Sequence, residues 1–162
     1  MIFVTVGNSN IGFERLIRTM DALAPSLPYE VIMQIGSSSY IPKNARWFRY
    51  ADYETMLEHF KNAKVIVTHA GAGTILDILM LGKKPIVVPR LKKFGEHIDD
   101  HQLEIVRALE GKGLVIPVYD IQELGEAILS ALDSNLKAHP RRKTPPRLVR
   151  IIAELINNVG GI

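Results

Sequence analysis

Apolar residues along the chain follow two spacings in turn, which predicts strands that alternate with helices. Short runs of valine, isoleucine and similar residues are typical of buried strands. Such runs lie at residues 2–6, 30–35, 47–50, 64–68, 85–88 and 114–116. Between them, apolar residues recur every three or four positions, as in amphipathic helices. These helical stretches lie at residues 13–24, 53–62, 74–81, 99–110 and 121–132.

This alternation predicts the fold class. Strands joined through helices form right-handed βαβ units, so we predict an α/β domain with a doubly wound, mostly parallel sheet. The carboxyl ends of its strands then lie on one edge, where ligands bind in sheets of this kind. Three loops are expected to meet there, at residues 7–12, 69–74 and 89–101.

The chain is predicted to have three parts. Residues 1–133 carry the strands and helices and form one domain. Residues 134–147 are polar, basic and proline-containing, which is typical of a linker. Residues 148–162 repeat apolar positions at the spacing of an amphipathic helix. That helix either packs on its own domain or docks against a partner, with the neighbouring basic residues close to anionic lipid headgroups.

Composition narrows the class of protein. The 162 residues are 47% hydrophobic and 23% charged, which is typical of a globular protein. The chain has no cysteine, which excludes disulfides and thiolate metal sites, and His97 and His101 lack a third ligand, so no metal is expected. The net charge of +3 comes with no nucleic-acid-binding motif, so no nucleic-acid partner is expected. Residues 1–6 lack the features of a secretion signal, and we expect a cytoplasmic protein.

The segment after the fourth apolar run is the strongest candidate for a binding site. Residues 69–74 read His-Ala-Gly-Ala-Gly-Thr and are expected to join a strand to a helix. Glycines let a ligand approach the backbone, and the free N–H groups that begin a helix attract anions, so this turn predicts a phosphate site. Asp77 follows one turn into the helix, where its carboxylate can accept hydrogen bonds from ribose hydroxyls. The spacing matches neither GxGxxG nor a P-loop, and a tight turn that binds nothing is the alternative.

Several motifs follow one another along the chain in the order that is typical of one family. They are Thr5-Val6-Gly7, the run from Phe13 to Ile17, Tyr50-Ala51-Asp52, the glycine segment with Asp77, the run from Gly82 to Pro85, Glu96-His97, and residues 99–102. Over residues 1–132 the chain resembles the donor-binding half of GT-B glycosyltransferases, of the glycosyltransferase family 28 C-terminal, MurG-like type. It resembles in particular the small catalytic subunit of the two-subunit UDP-N-acetylglucosaminyltransferase of dolichol-linked oligosaccharide synthesis. It is similar also to bacterial exopolysaccharide glycosyltransferase subunits of the PssE and EpsE kind.

The resemblance implies a binding site for a UDP-sugar. The implied donor contacts are Gly7, Asn8, Tyr50, Ala51, Gly71, Ala72, Gly73, Thr74, Asp77, Asp100, His101 and Gln102. The two glycine-containing turns are expected to hold the diphosphate, the residues at 50 and 51 the uracil, the aspartate at 77 the ribose, and residues 100–102 the sugar. Asn8 stands where the family usually has threonine, and its amide can still donate a hydrogen bond. His69 is the candidate for catalysis, with a packed core histidine as the alternative, and no general base is identified.

The resemblance also implies the reaction and the partners. GT-B enzymes close a cleft between two domains, and this chain supplies only the donor half. A membrane-anchored subunit that binds the acceptor is therefore expected, and it would hold this chain at the membrane surface. The implied reaction moves a sugar of the GlcNAc, glucose or galactose type from UDP to a lipid-linked acceptor, without a metal or other cofactor. The alternative is a non-catalytic nucleotide-sugar-binding or regulatory subunit.

Overall fold

The structure is a computed structural model in which residues 1–137, 150, 152–154 and 157–158 are described. Its centre is a six-stranded sheet. The strands are β1 (Ile2–Thr5), β2 (Val31–Gln34), β3 (Arg46–Phe48), β4 (Val65–His69), β5 (Ile86–Val88) and β6 (Ile116–Pro117). Their order across the sheet is β3-β2-β1-β4-β5-β6, and each pair of neighbours is parallel. The predicted α/β class with a parallel sheet is confirmed.

Helices connect successive strands as the apolar spacing predicts, except that β2 and β3 are joined by a loop. The α-helices are α1 (Glu14–Leu23), α2 (Tyr53–Asn62), α3 (Ala72–Met80), α4 (His101–Glu110) and α5 (Leu124–Lys137). Single turns of 3-10 helix lie at Ala24–Ser26, Lys92–Phe94 and Ile121–Glu123.

The sheet is buried on both faces because helices cover each side. Ile2 and Val4 of β1 pack in one apolar cluster with side chains of α1 and α5. Phe3, which points to the opposite face, packs with residues of α2 and α3. Val87 of β5 joins a third cluster, with side chains of α3 and α4. Continuous apolar runs are what central strands of this kind require, since successive side chains enter different cores.

The first residues of α3 and α4 differ by two positions from those that the apolar spacing predicts. α3 begins at Ala72 instead of residue 74, because Gly71 is its N-cap and the Ala72-Gly73 pair forms its first turn. α4 begins at His101 instead of residue 99. Asp99 Oδ1 accepts the N–H of His101 at 3.0 Å, which forms a tight turn just before the helix. Asp100, which stands at the N-cap position, does not cap the helix through its side chain.

The carboxyl-terminal boundaries also differ from the prediction. α5 continues to Lys137, so the first four residues of the predicted linker at 134–147 belong to this helix. Residues 138–149 lie outside the described residues. Within the predicted helix at 148–162, Ile152 is buried among apolar side chains of α3 and α4, which favours packing on its own domain. In the part of the chain that is described, no helix combines the length and hydropathy that a membrane span needs.

Candidate functional site

The strand order reverses at the boundary between β1 and β4. From β1 the chain proceeds to β2 and β3 on one side, whereas β4 leads to β5 and β6 on the other. At such a boundary the loops that follow the two strands diverge and leave a crevice at the carboxyl edge of the sheet. These loops begin at Val6 and Ala70. The glycine segment that the sequence assigns to a phosphate therefore lies beside the first loop.

The imidazole of His69 lies between these two loops. A Cβ atom on Gly7 would stand 2.4 Å from His69 Nε2, and one on Gly71 would stand 2.1 Å from His69 Cε1. Gly7 also has a φ of +77°, which residues with side chains rarely adopt. What these two glycines accommodate in the structure is therefore the histidine ring.

His69 is buried and uncharged. Its exposed fraction is 8%, and burial, with smaller contributions from Arg90 and His97, lowers its pKa from 6.5 to about 3. Its Nε2 has no hydrogen-bond partner among the described residues. Buried polar atoms are normally paired, so this buried ring nitrogen is free to pair with a group that the described residues do not supply.

This lowered pKa predicts that acid destabilises the fold. Between pH 6.5 and about 3 the unfolded chain binds a proton at His69 that the folded chain does not bind, so the free energy of unfolding falls as the pH falls. Urea unfolding at pH 7 and pH 5 is expected to show a loss about 2 kcal/mol larger in the natural protein than in His69→Gln. Equal losses in both proteins would mean that His69 is protonated in the folded state.

The amino-terminal end of α3 is open beside this ring. Gly71 caps the helix without a side-chain hydrogen bond, and the first N–H groups of a helix have no partner within it. A Cβ atom on Gly73 would meet no described atom within 4 Å. Backbone donors, the positive end of the helix dipole and an unpaired imidazole nitrogen thus adjoin one another, which is a suitable arrangement for a phosphate group.

Gln34 orders the first loop from the end of β2. Its Oε1 accepts hydrogen bonds from Thr5 Oγ1 and from the N–H groups of Val6 and Gly7, at 2.5, 3.1 and 3.1 Å. Its Nε2 donates to the carbonyl oxygens of Gly7 and Arg49 at 2.9 and 2.8 Å. One buried amide therefore joins the loop after β1 to the segment that carries the predicted uracil contacts.

Arg90 ties the third loop to the first. It lies two residues after the end of β5, is 1% exposed, and lies over the ring of Phe13. Its guanidinium donates to the carbonyl oxygens of Val6, Ile11, Gly12 and Glu96, at 2.8, 2.8, 3.2 and 3.1 Å. These backbone oxygens come from residues up to 84 positions away, so the side chain holds two loops in one arrangement.

An ion pair supports the same loops from α1. Arg15 contacts both carboxylate oxygens of Glu96 at 2.9 Å and also donates to the carbonyl oxygen of Pro89 at 3.0 Å. Glu96 Oε1 accepts the N–H of Leu91 at 3.0 Å as well. The Glu96 side chain is 6% exposed, and a bidentate contact of this kind fixes orientation as well as charge.

The residues predicted to hold uracil and ribose lie on the side of β3 and α2. Tyr50 and Ala51 are exposed, and the hydroxyl of Tyr50 lies 2.6 Å from Ser37 Oγ. Asp77 of α3 is half-buried and accepts a hydrogen bond from the Tyr53 hydroxyl at 3.0 Å. The hydrogen bond from Tyr53 therefore joins Asp77, which is predicted to bind the ribose, to α2, the helix that follows the predicted uracil contacts.

The residues predicted to hold the sugar are arranged differently from one another. Asp100 is exposed and its Oδ1 accepts the N–H of Lys92 at 3.0 Å, whereas the half-buried His101 lies 3.6 Å from Glu104. Gln102 is 7% exposed, and its side chain bonds inward to the backbone.

Asn8 is exposed on the first loop. No group of three metal-binding side chains occurs in the described part of the chain.

Sequence reasoning missed Gln34 and Arg90. Each is a polar residue at the carboxyl end of a buried strand, Gln34 within Val-Ile-Met-Gln-Ile and Arg90 after Ile-Val-Val-Pro. A polar side chain at that position is the signal that indicates them, since such a residue must find partners at the edge where the loops meet.

Comparisons with known proteins agree with this architecture. A sequence model of the Glycosyltransferase family 28 C-terminal domain matches residues 1–155. The UDP-N-acetylglucosamine transferase subunit ALG13 of Homo sapiens is 33% identical over 125 residues, covering 69% of this chain and 10% of the human protein. MurG of Acinetobacter baumannii has the same fold, with a TM-score of 0.55 and 19% identity over 96% of this chain and 49% of the MurG chain. The calicheamicin glycosyltransferase CalG4 superimposes with a TM-score of 0.59 and 19% identity over 98% of this chain and 39% of CalG4.

Proposed function

Because this chain belongs to the glycosyltransferase family 28 C-terminal domain family, we propose that it binds a UDP-sugar and supplies the donor side of a glycosyl-transfer site. One observation carries the proposal. The open amino-terminal end of α3 meets the unpaired Nε2 of His69 where the strand order reverses. Helix N–H groups and a neutral imidazole donor suit a diphosphate, and they stabilise the charge that develops when UDP leaves.

The other half of the reaction is proposed to come from a partner. The human relative is named as a subunit of a UDP-N-acetylglucosamine transferase, and this chain spans about a tenth of that protein and about half of the MurG chain. We propose a heteromeric glycosyltransferase in which a membrane-anchored subunit binds a lipid-linked acceptor and this chain binds the donor at the membrane surface. The donor site needs no metal in this proposal, since the helix dipole and backbone donors take its place.

Saturation-transfer NMR on the purified chain tests donor binding. UDP, UDP-GlcNAc, UDP-glucose and UDP-galactose are expected to give signals that GDP and ADP do not give. Asp77→Asn is expected to weaken UDP binding about tenfold, because a charged acceptor for the ribose hydroxyls is lost.

Glu126→Gln removes an exposed carboxylate from α5 and serves as the matched control. It is expected to bind UDP like the natural protein. Equal signals from all nucleotides, or equal weakening in both variants, would contradict a uridine site at Asp77. Sugar transfer that appears only with the partner, and is lost in Asp77→Asn, would distinguish a catalytic subunit from a regulatory one.

A further inference from the structure

The side-chain amide of Gln102 has one defined orientation. Gln102 Oε1 accepts hydrogen bonds from the N–H groups of Ala70 and Arg90, at 3.1 and 3.0 Å. Both partners are backbone donors, so the oxygen of the amide must face them and the NH₂ group must lie on the other side. Gln102 thus joins the ends of β4 and β5, which carry the second and third loops of the site.

This orientation determines where His69 carries its proton. Gln102 Nε2 lies 3.4 Å from His69 Nδ1. An amide nitrogen only donates, so Nδ1 must present its lone pair to Gln102, and the single proton of the neutral ring lies on Nε2. Two N–H groups would otherwise face each other inside a buried site.

The Nε2–H group is buried between the two glycine-containing turns and has no acceptor among the described residues. Cβ atoms built on Gly7 and Gly71 would stand 2.4 and 2.8 Å from His69 Nε2, so the backbone of both loops closes around this atom. No described group accepts a hydrogen bond from it. An anionic oxygen bound at the α3 amino terminus is a suitable acceptor, because backbone N–H groups and the imidazole N–H then serve one group.

We propose that Gln102 is a positioning residue that holds His69 in the Nε2-protonated tautomer and so presents an uncharged N–H donor to the diphosphate of the UDP-sugar. This proposal rests on the proposed function. It assigns Gln102 a different task from the sugar contact that the family resemblance implies. The two assignments differ in what they predict for UDP, which contains the diphosphate but lacks the transferred sugar.

Gln102→Glu tests the assignment. A carboxylate only accepts hydrogen bonds, so in this variant the ring proton of His69 is expected to move to Nδ1. At alkaline pH, where the ring is neutral, Nε2 then presents a lone pair to the phosphate in place of an N–H group. Binding of UDP and of UDP-GlcNAc is then expected to weaken by similar factors, about tenfold. A sugar contact predicts weaker binding of UDP-GlcNAc alone. Gln122→Glu, which adds the same charge at an exposed position, is the matched control and is expected to bind both ligands normally.

Nitrogen NMR of the histidine ring gives a second measurement that needs no variant. In the natural protein, His69 Nδ1 is expected to show the shift of an unprotonated nitrogen and Nε2 that of a protonated one, with Nε2 moving when UDP binds. Protonated Nδ1 in the natural protein, or UDP binding that leaves Nε2 unmoved, would overturn the role of Gln102 while the donor site stands. No binding of UDP would overturn the proposed function, and the role of Gln102 with it.

Discussion

Arg90→Met is expected to lower the free energy of unfolding by about 3–5 kcal/mol, because the variant leaves a set of buried carbonyl oxygens without their donor. The guanidinium makes four hydrogen bonds to backbone oxygens of the first and third loops. Methionine fills much of the same volume, so the loss comes from unpaired acceptors more than from an empty cavity. Urea unfolding at pH 7 measures the change.

Arg107→Met is the matched control for this experiment. Arg107 lies exposed on α4, and a substitution at such a position is expected to change the free energy of unfolding by less than about 0.5 kcal/mol. A similar loss in both variants would mean that the contacts of the Arg90 guanidinium contribute little, and that the two loops are held by other groups.

Gly73→Ala is expected to abolish most UDP binding without loss of stability. The added Cβ meets no described atom within 4 Å, so the fold accommodates it, and alanine has a better helix propensity than glycine by up to about 1 kcal/mol. Under the proposed function, the same methyl group would occupy the space through which the diphosphate approaches the first N–H groups of α3. Affinity for UDP is expected to fall at least about tenfold, measured by saturation-transfer NMR titration.

Gly71→Ala gives the opposite pattern in the same turn. Its Cβ would stand 2.1 Å from His69 Cε1, so the ring or the loop must move. We expect a lower free energy of unfolding, because overpacking of a tight site typically costs about 1–3 kcal/mol. Undiminished UDP binding in Gly73→Ala would show that the diphosphate does not lie against this backbone.

Much of the architecture follows from short-range patterns in the sequence. The helix predicted at residues 53–62 has those bounds in the structure, and each predicted strand has a counterpart. Local spacing is sufficient there because a buried strand and an amphipathic helix each show their environment within a few residues. The glycine segment, too, was placed correctly between a strand and a helix, since glycine after a β-branched run limits the possible local structures.

Helix starts were less predictable because capping depends on contacts outside the helix. The apolar spacing predicts that α4 begins at residue 99, whereas the helix begins at His101. In the structure, Asp100 accepts the N–H of Lys92, which lies eight positions earlier in the same loop, and Asp99 forms a turn with His101. Only the folded third loop brings these groups together.

The sequence by itself determined the α/β class, the family and the position of the glycine segment between a strand and a helix. These follow from the periods of apolar residues and from motifs a few residues long. The strand order, the buried contacts of Gln34 and Arg90, and the inward orientation of Gln102 were decided only by the tertiary structure. Each of these depends on which distant backbone groups need partners, as in the bond from Arg90 to Val6 across 84 positions, and no local pattern records that.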